Sequence, residues 1–160
     1  MRIAVPQLAA ALEPAVFTLW IGSMWTIGFI VAPVLFLSLP DPMTAGAIAG
    51  RLFRIGGYIG LICSVLLLAA AFLRESGAAL RSWRVQVLFA MLVITAVGQF
   101  GLLPQIEHLK DLAGGRLIAG SALERQFGRL HAVSSTLFVV NSVLGLVLAV
   151  RGLYRPGRRG

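Results

Sequence analysis

Four runs of this chain contain no charged residue: Ala15–Leu39, Ile55–Leu73, Val85–Leu103 and Ala132–Val150, the first 25 residues long and the others 19 each. A bilayer's hydrocarbon core is about 30 Å thick and a helix rises about 1.5 Å per residue, so roughly 20 apolar residues cross it. In lipid there is no water to bond the backbone, which must satisfy its own N–H and C=O groups. For isolated apolar runs, helix is the solution that leaves no open edge. The alternating pattern of barrel strands is absent. The expected fold is all-α: an integral membrane four-helix bundle with short interfacial helices, one domain over residues 1–160, with 152–160 as a flexible basic tail.

Composition agrees. Of the 160 residues 58% are hydrophobic and only 12% charged, and the mean hydropathy is +0.89. A water-soluble domain carries about a quarter of its residues as charges, so an ordinary soluble globule is excluded, and the length leaves no room for a separate enzymatic module. The formal charge of +8 does not point to nucleic acid, because the arginines lie in short segments between apolar runs, a pattern of membrane topology. Cys63 is the single cysteine, so no intrachain disulfide forms.

At the N-terminus, Arg2 and the Ala9-Ala10-Ala11 stretch superficially suggest a secretion signal. The apolar run before the alanines is too short and holds Pro6 and Gln7, so a short interfacial segment is expected instead. Four spans put the N-terminus, the 74–84 loop and the C-terminus on one side. That side carries Arg2, Arg74, Arg81, Arg84, Arg151, Arg155, Arg158 and Arg159. The other side carries Arg51, Arg54, Lys110, Arg116, Arg125 and Arg129, offset by Asp41, Glu107, Asp111 and Glu124. The excess of cations near helix ends assigns both termini to the cytoplasm of a bacterial inner membrane.

The connections carry local signals. Asp41-Pro42 has the form of an N-cap followed by proline at the first helical position, which predicts a helix at the membrane surface leading into the second span. Ser121 and Glu124 have capping-box spacing, so the last helix should begin near Ala122. Ala113-Gly114-Gly115 marks a turn, and Pro104 is expected to close the third span.

Membrane helices associate by close packing of small residues. Gly56, Gly60 and Ser64 form one such row, Gly28 with Ala32 another, and Asn141, Gly145 and Ala149 a third; these predict helix contacts within the monomer or an oligomer interface. On the fourth helix His131, Ser134, Phe138, Asn141 and Gly145 share a face. An asparagine in a span faces the interior, where Thr95 and Gln99 of the third helix offer partners for Asn141. His131, close to the membrane boundary, suits an interfacial or capping role equally well. Trp20 and Trp25 fall near the middle of the first span and are expected to pack rather than anchor.

Glu107, His108 and Asp111 end the third helix on the side where Glu124 and His131 begin the fourth. Imidazole with carboxylate suits zinc or copper, which leaves His108 and His131 as the candidate ligands. Only two histidines exist, and no HxxxH or CxxC doublet is present, so no metal or other cofactor is expected. Walker loops, GxSxG elbows and acids within the spans are also absent, which speaks against primary transport and intramembrane proteolysis.

The first span and its exit read Leu19-Trp20, Gly22, Met24, then Val31-Ala32-Pro33-Val34-Leu35-Phe36, Leu39-Pro40, and Gly50-Arg51-Leu52-Phe53. Together with Leu103-Pro104, Leu109-Lys110, Phe127, Leu130-His131, Ser134, Asn141 and Gly145-Leu146, this resembles the bacterial family called domain of unknown function 4149, relatives of transmembrane protein 205. The likeness runs over about residues 15–150. Arg54 and Gln105 depart from the family pattern. The resemblance implies a four-helix integral membrane protein with no assigned reaction. A more distant similarity to copper-resistance D-type and other four-helix haem or copper families, through Trp20-x-Gly22 and His131, is the one route to a cofactor.

The expected function is that of a non-enzymatic, small multi-pass inner-membrane protein. It would have the lipid bilayer around it and act by helix packing as a homo-oligomer or an accessory subunit of a larger membrane complex. The alternative is a haem- or copper-handling protein using His131.

Overall fold

The computed structural model describes residues 5–75, 80–114, 118 and 120–153. Its elements are helices α1 (Val5–Trp25), α2 (Ala32–Ser38), α3 (Pro42–Glu75), α4 (Trp83–Ala96), α5 (Leu103–Leu112) and α6 (Ala122–Leu153). Two π-helical turns, Thr26–Val31 and Val97–Leu102, join α1 to α2 and α4 to α5 without a break. Four helical segments are long and apolar enough to cross a membrane: Leu12–Ser38, Pro42–Leu73, Trp83–Leu112 and Ala122–Arg151. These contain the four predicted spans almost entirely and extend beyond them. No strand occurs among the described residues. The basic tail beyond Leu153, the N-terminal Arg2, Gly115 and most of the 74–84 loop's centre lie outside the described residues.

The four rods form a closed ring in which α1 packs on α3, α3 on α4, α4 on α6, and α6 back on α1. Each connection joins neighbours, as short loops require of antiparallel helices. At one end of the bundle Arg84 pairs with Glu13 and Arg151 stacks over Trp83 at 4.9 Å. At the other, Arg54 pairs with Glu107 and Lys110 lies 5.8 Å from the centre of the Phe127 ring. We call these the terminal and distal ends; the contacts place the loops at two ends as four antiparallel spans require.

Pro104 does not close the third span. It sits in the first turn of α5, and the helix continues to Leu112. A proline inside a helix lacks an N–H and its ring clashes with the carbonyl four residues back. Here the π turn absorbs both defects: the Leu103 N–H reaches back five residues to Gly98 O. The first span repeats the device, with Ala32 N–H on Ile27 O one residue before Pro33. In both rods the widened turn ends two residues before the proline, so a residue that reads as a terminator acts as a local deformation.

The segment after Asp41 is helical as expected and fuses with the second span into one 34-residue helix, about 51 Å long. Asp41 caps it, its carboxylate accepting from Met43 N at 3.1 Å and Thr44 N at 2.9 Å. α6 begins at Ala122, as the capping box predicted. Glu124 N donates to Ser121 Oγ at 3.1 Å, while the Glu124 carboxylate accepts from Gly120 N at 2.6 Å, one residue earlier than the standard box. Gly120 has φ 77° and Gly114 φ 56°, left-handed positions that favour glycine. Both α3 and α6 outlast a 30 Å core, so their distal turns rise beyond the hydrocarbon.

Candidate functional site

The interior of the bundle is built on glycines of α3. A Cβ placed on Gly60 would lie 2.7 Å from Trp20 Nε1 and 3.4 Å from Thr95 Cγ2, and one on Gly56 would lie 2.9 Å from Ile27 Cδ1. The missing side chains are therefore space taken by α1, the π turn that follows it, and α4. Ser64, one turn further, is fully buried and turns its hydroxyl back to Leu61 O at 2.9 Å, so it presents no free donor to the neighbouring helix. On α6, Gly145 admits Ile21, whose Cδ1 would stand 2.7 Å from an added Cβ. Gly28 likewise receives the Phe138 ring, which Phe29 and Phe53 flank at 5.5 and 5.6 Å. Trp20 is 1% exposed and belongs to the buried cluster that includes Cys63, Leu67, Leu88 and Met91.

Asn141, 5% exposed, is the polar centre of this packing. Its Nδ2 donates to Thr95 Oγ1 at 3.1 Å and approaches Met24 Sδ at 3.7 Å. Thr95 passes its own proton to Met91 O at 2.8 Å, so a short chain of donors links α6 through α4 to its backbone. Asn141 Oδ1 and Trp25 Nε1 are buried without a hydrogen-bond partner. Gln99, the second partner considered for Asn141, is used elsewhere. It stands in the π turn of the third rod, and its Nε2 donates to Arg54 O at 3.1 Å, its head filling the space over Gly57. The tie between Gln99 and α3 depends on where the π turn aims that side chain, which residue spacing does not encode.

The two histidines stand apart from this interior. His131 is exposed on the distal flank of α6 and stacks on Phe127, centroids 5.7 Å apart with planes 9° from parallel. His131 shares a helix stripe with Asn141 by periodicity, but it is exposed where Asn141 is buried, although α6 still packs on α5 at this level. His108 is exposed on α5. Glu107 is engaged by Arg54 and Glu124 by the cap of α6. Among the described residues no three His, Cys, Asp or Glu side chains converge.

Two further charged contacts were not legible from spacing. Glu13 is buried, 7% exposed, against the Arg84 guanidinium; its position just before the first uncharged run gave no sign that the helix would carry it inside. Lys110 is half-buried between α3 and Phe127, with its Nζ 3.4 Å from Gly46 O. No match was found among curated proteins or solved structures. With an all-helical four-span bundle and the glycine-bedded interior in hand, the remaining comparison is with sequence families: the profile described as Domain of unknown function (DUF4149) matches residues 15–114, and the chain belongs to that family.

Proposed function

We propose that this protein is a non-enzymatic bacterial inner-membrane protein that works through helix packing, as an accessory subunit of a larger membrane complex or as a homo-oligomer, with both termini cytoplasmic. The observation that carries this reading is the interior. The space over its glycines is occupied by indole, isoleucine and phenylalanine side chains from neighbouring helices, and Asn141 Nδ2 and Gln99 Nε2 bond across to other helices. The outward faces of all four rods carry exposed large apolar residues such as Leu19, Ile62, Phe89 and Val143, which suit lipid or other membrane helices alike.

Cross-linking of intact membranes followed by native electrophoresis tests the assembly. A discrete species above the 17.1 kDa chain is expected, and a monomer alone would overturn it. The rival reading, haem or copper handling through His131, predicts a stoichiometric absorbance or metal signal that disappears in His131→Ala; that result would replace the packing role. For orientation, alkaline phosphatase fused after Gly160 should be inactive, because that reporter folds only outside the cytoplasm. An active fusion would reverse the topology.

A further inference from the structure

The third and fourth spans meet at the terminal end. The third begins at Trp83 and the fourth ends at Arg151, and the Arg151 guanidinium lies 4.9 Å from the centre of the Trp83 ring. Both residues are exposed. An exposed indole at the end of a span settles at the headgroup level, where its apolar body meets lipid and its N–H meets water. The stack therefore holds the guanidinium at the same height. It uses only the face of that group, and the N–H donors around the edge stay available. Arg81, two residues before Trp83, is exposed as well.

No carboxylate answers these two cations. Among the described residues the ion pairs engage Arg54 and Arg84, and Arg81 and Arg151 have none. The acids that the sequence gives this end are Glu13 and Glu75, and Glu13 is buried against Arg84. Glu75, counted in full against Arg81 and Arg151, still leaves them with a net positive charge. The other ionised side chains assigned to this end, Arg2, Arg74, Arg155, Arg158 and Arg159, are all cations. Composition thus sets the sign of the patch, however those segments lie. Below it the exposed side chains of Val150, Leu146 and Val143 run along α6 into the span, an apolar surface on which an acyl chain would lie.

We infer that Arg151, held on Trp83, binds together with Arg81 the phosphate of an anionic phospholipid in the leaflet that the terminal end faces. The edge of a guanidinium matches two phosphate oxygens. A zwitterionic lipid brings an ammonium into a patch with two cations and, among the described residues, no exposed carboxylate to receive it, which costs binding. Phosphatidylglycerol brings the phosphate without the ammonium. The inference holds for either orientation of the chain.

Native mass spectrometry of the detergent-solubilised full chain tests this with phosphatidylglycerol, phosphatidylethanolamine and phosphatidylcholine of identical acyl chains. Phosphatidylglycerol should be retained at least about fivefold better than either zwitterionic lipid, the contribution of one basic side chain at an anionic surface. Arg151→Gln, at an exposed helix end, should lose about that factor, while Arg129→Gln, which removes the same charge from the exposed distal part of α6, should keep the preference. A second readout locates the lipid: phosphatidylglycerol with brominated chains should quench tryptophan emission more than brominated phosphatidylcholine, and Trp83→Phe should abolish that excess. Free glycerol phosphate, which has no chains, should not displace the lipid at equal concentration; displacement would make the ligand a soluble phosphate and overturn the lipid assignment. Equal retention of the three lipids, an unchanged preference in Arg151→Gln, an equal loss in Arg129→Gln, or excess quenching that persists in Trp83→Phe would each overturn the inference.

Discussion

Replacing Gly60 by alanine sets two effects of opposite sign against each other. In a helix interior alanine is favoured over glycine by about 1 kcal/mol, through backbone entropy. Against that stands the space: the new methyl would lie 2.7 Å from Trp20 Nε1, 3.2 Å from Trp20 Cδ1 and 3.4 Å from Thr95 Cγ2. The indole is rigid and 1% exposed, so it has nowhere to swing, and α1 must move away from α3. Overpacking of this kind costs about 1–3 kcal/mol. Gly22 supplies the control, because it is helical, exposed and has nothing within 4 Å of a built Cβ. Subtracting the two variants cancels the propensity term and leaves the overpacking alone, about 1–3 kcal/mol. At about 2–4 °C per kcal/mol for a chain of this size, Gly60→Ala should melt about 2–12 °C below Gly22→Ala. Tryptophan fluorescence during heating in detergent reads the transition directly, and Trp20 sits at the perturbed contact. If Gly60→Ala gains as much stability as Gly22→Ala, the two helices are not in the close contact described and the reasoning fails.

Three other outcomes follow from the same contacts. Asn141→Leu should shift stability by less than about 1 kcal/mol, since a membrane hydrogen bond averages about 0.6 kcal/mol and the unpartnered Oδ1 is removed along with the Nδ2 donor; a large loss on thermal or SDS unfolding would make Asn141 a structural keystone. Arg84→Met should destabilise more than Arg54→Met, because Glu13 is buried beside Arg84 while Arg54 and Glu107 are both well exposed and such surface pairs contribute about 0–1 kcal/mol; equal melting temperatures would contradict the burial of Glu13. Gly57→Ala should destabilise by forcing out the Gln99 head, and Gln99→Ala in the same chain should restore part of the loss. Strict additivity in that double-mutant cycle would separate the two residues.

Much of the architecture was written in one-dimensional features. Uncharged runs of span length require helices because lipid offers the backbone no partners, and that argument needs no knowledge of neighbours. The caps at Asp41 and Ser121 are equally local, since a side chain bonds the backbone two or three residues away, and both appear where they were read. The rows Gly56-Gly60 and Asn141-Gly145 could be marked as contact surfaces because small residues at helical spacing let backbones approach. The tryptophans of the first span were recognisable as packing residues by their depth, and Trp20 is fully buried.

What occupies those surfaces was decided by the tertiary structure. The sequence does not say that Trp20 fills Gly60 or that Ile21 fills Gly145, because the pairing depends on the rotation of α1 about its own axis once it lies between α3 and α6. Pro33 and Pro104 show the same limit: each forbids one backbone hydrogen bond, but whether the chain stops or widens into a π turn depends on neighbours that hold the rod straight. The widening at Val97–Leu102 then turns Gln99 toward Arg54 O rather than Asn141. His131 shares its helix face with Asn141 by periodicity, yet one lies exposed against Phe127 and the other in the core, because which part of a face is covered is set by how neighbouring helices lie against it. Sequence by itself determined the helices, their number and their small-residue faces, each a property of a segment and its solvent; the contacts between helices and the buried Glu13 exist only where several segments meet.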